Sequence, residues 1–334
     1  MCIRDRSFSI TAPLKVGIVG TGYTAKRRAE AIQADERSQL RFVTGNTPER
    51  TDEFCQTFGI NSLTSWQQLV NHSDLDLVII GTINRDHGLI AQAALQSGKH
   101  VIIEYPLALD YLVGKDLVEL ARKQNKLLHI EHIELLGGVH QALRRYLPEI
   151  GEVFYARYAT IMPQNPAPQR WTYHQESFGF PLIAALSRLH RLTDLFGPVV
   201  SVTCQSRFWD TPEAGYFRAC FCNAQLQFQN GLMADTVYAK GEICWQGDRS
   251  FVLHGDEGTL SFDGEEGKLI RGKEMTDLEV GSRRGLFTLD TQKVLDHLFN
   301  GSPLYVQPEA SLYALQVAEA AYQSSKQGKT IFLE

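Results

Sequence analysis

The stretch from Leu14 to Ala34 constrains this chain more than any other. Leu14 to Val19 reads as a short apolar strand, and a helical pattern runs from about Ala25 to Ala34. Between them, Gly20-Thr21-Gly22-Tyr23-Thr24-Ala25 spells Gly-x-Gly-x-x-Ala. Gly20 permits the tight turn, Gly22 lets the backbone approach a pyrophosphate, and the small Ala25 allows close helix–strand packing, with the helix N-terminus facing the anion. Alone, such a motif is also the spelling of an ordinary glycine turn. Its weight comes from the strands and helices that succeed it along the chain.

Leu40 to Thr44, Leu75 to Gly81 and His100 to Glu104 are further strands. The last two are nearly all apolar, as expected when both faces of a parallel sheet are covered. Leu109, Leu112, Val113, Leu117, Leu120 and Ala121 recur at helical spacing, and Leu127 to Ile133 is another strand. This alternation is the signature of βαβ units. After Gly151 the pattern changes. Val153 to Met162, Val199 to Trp209, Tyr216 to Gln229 and Leu232 to Lys240 are long strand-like runs. From Cys222 to Gln229, apolar and polar residues alternate strictly, so one face is buried and the other wet. Asn230-Gly231 and Asp263-Gly264 are hairpin signals. Helices are expected over Pro181 to Phe196 and Pro308 to Ser324. The fold class is therefore α/β. A Rossmann-type, doubly wound parallel sheet is expected over 12–134, and an α+β domain with an open antiparallel sheet and a helix packing back over 135–334.

A length of 334 residues fits two domains at roughly 150 residues each. With 43% hydrophobic and 21% charged residues the chain is too apolar for disorder. Its net charge of −5 argues against nucleic acid as a partner. Local arginines still permit a small anionic ligand. No apolar run approaches the ~20 residues that span a bilayer, so no membrane association is expected. Met1 to Arg6 lacks the apolar core of a secretory signal and reads as foreign to the rest. Cys2, Cys55, Cys204, Cys220, Cys222 and Cys244 form no CxxC or regular framework, which fits reduced thiols in the cytoplasm. No metal is expected: on a strand, His129 and His132 would point to opposite faces, and nothing completes a site.

An acid that holds a ribose 2′-hydroxyl should fall about 20 residues beyond the glycines. Gly45-Asn46-Thr47 stands there instead, with Arg50 close behind. Asn46, Thr47 and Arg50 can donate to a 2′-phosphate that no carboxylate repels, which favours NADPH. If these residues only shape the loop, NADH also binds.

At Gly81-Thr82-Ile83-Asn84-Arg85-Asp86-His87, Ala91 to His100 and Glu104-Tyr105-Pro106, the chain resembles the glucose-fructose oxidoreductase/inositol dehydrogenase (Gfo/Idh/MocA) family. That resemblance implies a Rossmann domain followed by an open antiparallel sheet, with Thr82, Ile83, Asn84, His87, Glu104 and Tyr105 at the cofactor. The family's strand-end motif is Glu-Lys-Pro, with a catalytic lysine, and Tyr105 replaces it here. Phe178 to Arg188 also lacks the family's Asp and His, and offers Ser187 or Arg188 instead. Oxidising an alcohol needs a general base, and the usual set is gone.

These departures are similar to one branch of the family, the biliverdin reductases of cyanobacterial type. The likeness rests on Glu104 to Leu109, His129 to Leu136, Gln164 to Trp171, Phe178 to Pro181 and Ser187-Arg188. It implies reduction of biliverdin IXα by NADPH, with hydride to the central methine bridge and a proton to a pyrrole nitrogen. Arg188 and Tyr105 become the expected catalytic residues. Guanidinium does not give up its proton, so Arg188 stabilises charge, grips a propionate or orients a water; the alternative is a salt-bridge arginine. Tyr105 is expected to hydrogen bond or stack. His87, His129 and His132 either line the crevice or are packed structural histidines. Arg170, Trp171 and Phe180 are substrate candidates, with Arg191, Arg207, Arg218, Arg283, Arg284 and Trp209 in the same pool. Two other readings stay open, a sugar or polyol dehydrogenase and a non-catalytic bilin or nucleotide sensor.

Overall fold

The computed structural model describes Phe8 and residues 10–333, so the Met1 to Arg6 segment, with Cys2, lies outside the described residues. The chain forms two compact units, one ending at Ile133 and rejoined by Gly285–Leu312, the other Glu134–Arg284 with the remainder from Tyr313. The chain thus passes between the units three times, at 133/134, 284/285 and 312/313. The helix Leu286–Asn300 places Val294, Leu295 and Leu298 in one core with Ala25, Ala29 and Ile32 of the helix Tyr23–Gln33. An apolar helix face shows that a partner is needed, without showing which.

In the first unit, strands β1 (Leu14–Val19), β2 (Ser38–Thr44), β3 (Asn61–Ser62), β4 (Leu77–Ile80), β5 (His100–Ile103) and β6 (Leu128–Ile130) are parallel, in the order β3-β2-β1-β4-β5-β6. Every side chain of β4 and β5 is buried, because helices cover both faces. Strand order reverses between β1 and β4, the switch point where open α/β sheets bind ligands. The helix Tyr111–Lys123 begins where the Asp110 carboxylate accepts from the Leu112 and Val113 N–H groups, at 2.7 and 3.1 Å. It buries Gly114, Leu117, Val118 and Ala121 and leaves Leu112 and Val113 exposed, a narrower face than the apolar spacing predicts.

Among the described residues the second unit holds nine strands: β7 (Val153–Pro163), β8 (Val199–Asp210), β9 (Phe217–Phe228), β10 (Met233–Gly241), β11 (Ser250–Gly255), β12 (Thr259–Asp263), β13 (Glu266–Arg271), β14 (Glu274–Leu278) and β15 (Ile331–Phe332). Their order is β14-β13-β12-β11-β7-β10-β9-β8-β15. All pairs are antiparallel except β7 with β10. Alternation assigns faces and leaves strand direction open, so that parallel pair was not visible in the sequence. Cys220, Cys222, Ala224 and Leu226 are wholly buried on one face of β9. Asn230-Gly231 and Asp263-Gly264 turn the chain with φ of 88° and 59° at the glycines. The helix expected over Pro181 to Phe196 is two, Pro181–Ala184 and Ser187–Phe196. Ala185, at φ −107° and ψ 39°, leaves helical geometry and breaks the ladder between them.

Candidate functional site

At the end of β1, Gly20 adopts φ +120°, and a β-carbon there would stand 2.2 Å from the Gly81 carbonyl oxygen. Only glycine fits so close to the loop after β4. Gly22 is different, for a β-carbon added to it would meet nothing within 4 Å. It precedes the helix Tyr23–Gln33, and no side chain caps that helix's first N–H groups. Open space before uncapped N–H donors fits a pyrophosphate. Thr21, Tyr23, Thr24 and Ala25 complete this turn. At the end of β2, Asn46, Thr47 and Arg50 are exposed, and the Thr47 side chain leaves its own helix uncapped. Those residues therefore suit NADP(H) at both of its phosphate positions.

His87 is buried between the two neighbouring loops. Its Nδ1 lies 2.8 Å from the Pro106 carbonyl and its Nε2 3.3 Å from that of Thr82. Both partners only accept, so a neutral ring donates to the nearer, and burial pushes its pKa down. His87 thus braces the Thr82-Ile83-Asn84 and Glu104-Tyr105-Pro106 segments against each other. Tyr105 is partly buried and lies parallel to the His132 ring, 5.4 Å between centroids.

Beneath these strand ends lies a charged network that sequence reasoning missed. Arg28, fully buried, donates to Glu104 at 3.2 Å and Thr291 at 3.0 Å and pairs with Asp290. Asp290 also accepts from His129 at 2.8 Å and the Tyr305 hydroxyl at 2.6 Å. Burial would push the Asp290 carboxyl up, but Arg28 and His129 overrule it and hold it well below the usual range. Glu131 goes the other way: burial, then the Glu104 charge, pushes it well up. One signal was available, because Arg28 interrupts the otherwise apolar face of Ala25, Ala29 and Ile32. His129 and His132 are each 1% exposed, and His132 Nε2 sits 2.8 Å from the Ser311 hydroxyl. Each ring is thus buried and anchored through its Nε2 within the first unit. Among the described residues no group of three or more His, Cys, Asp and Glu could hold a metal ion.

In the second unit a cavity of about 290 Å³ lies on one face of the sheet. Tyr158, Thr160 and Met162 reach it from β7 at the strand period of two, and Arg188 and Arg191 from the helix Ser187–Phe196. Arg249 and Arg283 complete a cationic lining, with Arg283 paired to Glu134. Arg188 donates to Thr160 Oγ1 at 3.3 Å and Ser187 Oγ at 2.9 Å, and lies 5.7 Å from the Tyr238 ring. The other substrate candidates fall elsewhere. Arg170 is exposed and turned to Thr172, Trp171 is 36% exposed, and Phe180 packs on Tyr322 at 5.1 Å. None of the three lines the cavity. Phe180 is 8% exposed at the start of the short helix Pro181–Ala184. Arg249 sits in a stretch that reads only as loop, and no signal marked it.

Comparison with known proteins supports both halves. Residues 14–132 match the NAD-binding Rossmann fold model of the Gfo/Idh/MocA oxidoreductase family, and 148–333 match its C-terminal alpha/beta domain. Biliverdin reductase from Synechocystis sp. PCC 6803, solved in complex with biliverdin and NADP+, is 61% identical with a TM-score of 0.93, covering 94% of this chain and 99% of that one. Biliverdin reductase A of Mus musculus is 30% identical over 247 residues, 73% of this chain and 77% of that protein. Aldose-aldose oxidoreductase from Caulobacter crescentus shares the fold at TM-score 0.81 and 20% identity, covering 96% and 99% of the two chains. No helix among the described residues is long and apolar enough to cross a membrane. With its models matching both halves, the chain belongs to the Gfo/Idh/MocA oxidoreductase family.

Proposed function

We propose that this chain is an NADPH-dependent biliverdin reductase, converting biliverdin IXα to bilirubin. The observation that carries the reading is 61% identity, over 94% of the chain, to a protein whose structure holds biliverdin and NADP+. When bound, NADPH supplies a hydride from C4 of its nicotinamide; the substrate gains it at the central methine bridge and a proton at a pyrrole nitrogen. The Gly20 to Ala25 turn holds the pyrophosphate, and Asn46, Thr47 and Arg50 hold the 2′-phosphate. Thr82, Ile83, Asn84 and Glu104 shape the cofactor's bed, braced by His87, and Tyr105 stacks or hydrogen bonds beside it. Arg188, in a cationic cavity, stabilises the negative charge that builds on the tetrapyrrole. It keeps its own proton, because guanidinium is not deprotonated in proteins. Arg170 and Trp171 are left as outer contacts for the pigment's edge. We place the reaction in the cytoplasm, a reading supported by Cys204 and Cys222, whose sulfurs lie 3.5 Å apart as free thiols.

Mixing the protein with NADPH and biliverdin tests the proposal directly. A change from blue-green to yellow is expected. Reduction of NADP+ by inositol or glucose without any reaction of biliverdin would establish a polyol dehydrogenase instead. A shifted bilin spectrum with no turnover would establish a binding protein.

A further inference from the structure

The reduction needs a proton for a pyrrole nitrogen, and the arginines of the cavity cannot give one. The remaining polar groups of its wall narrow the choice. Glu134 is engaged by Arg283, and Glu265 is exposed to solvent on the β12–β13 turn. His140 lines the cavity from the helix Gly138–Tyr146, but its protonation is fixed by its neighbours. Arg191 Nε lies 3.4 Å from His140 Nδ1, and a guanidinium nitrogen only donates, so Nδ1 carries a lone pair. The single ring proton is therefore on Nε2, and the Asp194 carboxylate accepts it at 2.6 Å. Burial pushes the His140 pKa down, which agrees. This histidine has no proton to offer the cavity.

Thr160 carries an aliphatic hydroxyl, far too weak an acid to give up its proton, so the phenol of Tyr158 is the group left over. Its hydroxyl oxygen accepts from Arg191 Nη1 at 2.9 Å. Because that bond uses a lone pair, the hydroxyl hydrogen points elsewhere, and no acceptor for it is found among the described residues. The ring lies flat on Phe251, 4.3 Å between centroids and 3° from parallel, which holds it against the cavity wall. Arg191 is 5% exposed, with its guanidinium 5.1 Å from both ring centres. Asp194, itself bound by Arg144 at 2.6 Å, orients His140, and His140 orients Arg191.

We infer that Tyr158 is the proton donor of the reduction, and that Asp194, His140 and Arg191 are positioning residues that prepare it. The inference rests on the biliverdin reductase reading. In the step, the Tyr158 O–H bond breaks and a pyrrole N–H bond forms, its electron pair coming from the nitrogen that the hydride addition has made electron-rich. The charge left on the phenolic oxygen faces the Arg191 guanidinium directly. Water entering the cavity then returns a proton to the oxygen. Thr160, two residues along the same face of β7, carries Arg188, so charge stabiliser and acid lie side by side. Tyr105 is placed differently, its ring stacked on that of His132.

Tyr158→Phe is a clean test, since phenylalanine keeps the stack on Phe251. Steady-state turnover of biliverdin with NADPH would be measured beside bilin binding, read as the spectral shift with NADP+ present, and beside thermal unfolding. Turnover should fall at least about 100-fold, the usual worth of a general acid. Bilin binding should stay within about threefold of the wild type. Turnover reduced less than tenfold overturns the inference, and so does a loss carried by binding, which would make Tyr158 a substrate grip. If the variant proves unstable, Asp194→Asn and His140→Gln disturb the same chain of positioning contacts without altering the phenol itself. Each should lower kcat with KM unchanged and enlarge the solvent deuterium isotope effect on kcat. A wild-type protein unable to reduce biliverdin overturns the functional reading itself, whereas active wild-type and active Tyr158→Phe overturn only the present step.

Discussion

Arg28 and Arg191 are each almost completely removed from water, and they are held in opposite ways. Arg28, in the first unit, meets the carboxylates of Glu104 and Asp290. Arg191, in the second, meets the neutral ring of His140 and the phenol of Tyr158. The first cation is spent within the fold, where it binds the returning helix Leu286–Asn300 to the Rossmann unit. The second, among the described residues, has no carboxylate against it and stands beside a cavity. A buried guanidinium is costly unless paired, so one left with neutral acceptors marks a place where negative charge is to arrive.

Breaking the first arrangement should give the largest effect. Asp290→Ala leaves Arg28 short of a counter-charge and should cost about 3–5 kcal/mol of stability, read by urea unfolding. An unchanged midpoint would mean that Arg28 is not held by that pair, and the contrast between the units would fail. Arg188→Ala should do the reverse. Turnover should drop about 10²–10³-fold, the range for removing a charge-stabilising donor, with NADPH affinity within twofold and unfolding little altered. If NADPH affinity falls in step with turnover, Arg188 belongs to cofactor binding.

The two arrangements were not equally legible beforehand. The glycine turn, the strands β1, β2, β4, β5 and β6 and the alternation of β9 depend on neighbours in sequence, and periodicity exposes them, whereas β3 is two exposed residues with no such pattern. Arg188 was found through a likeness of motifs. Arg191 stood among seven arginines with nothing to single it out, because its partners His140 and Tyr158 are 51 and 33 residues away. Asp290 was invisible for the same reason, 262 residues from Arg28. Aromatic composition did not separate Phe180, which is 8% exposed, from Trp171, which is 36% exposed, because it cannot tell a core ring from a site ring.

Arg50 sits at the other extreme, exposed at the end of β2. Asn46→Asp with Arg50→Glu places like charge where the 2′-phosphate is expected. The NADPH KM should rise about tenfold, equivalent to about 1.4 kcal/mol, while that for NADH changes little. A solvated site should lose less than a buried one, since exposed charges are screened. A rise shared by both cofactors would show that these residues shape the loop and do not read the phosphate.

The smallest effect separates Asp194 from Asp290. Burial would raise the Asp194 carboxyl, but hydrogen bonds from His140 and Arg144 bring it down to about 2 from its ordinary 3.8. With the folded value depressed, the stabilisation is complete above pH 3.8 and is lost as pH falls through about 2. Between those values the unfolded chain binds more protons, so stability rises with pH and is lost on acidification. Asp194 is only partly buried and its partner Arg144 is exposed, so solvent screening leaves about 1 kcal/mol. Urea unfolding of wild-type and Asp194→Asn proteins at pH 4 and pH 2.5 should show that difference narrowing on the acid side. Asp290, wholly buried and held lower still, should keep its share of stability to a more acid pH. Were Asp194→Asn to follow the wild type over the whole range, the His140 relay would carry no net charge coupling. The second unit's buried arginine would then be held by its own contacts with Tyr158 and His140, without help from the Asp194 charge.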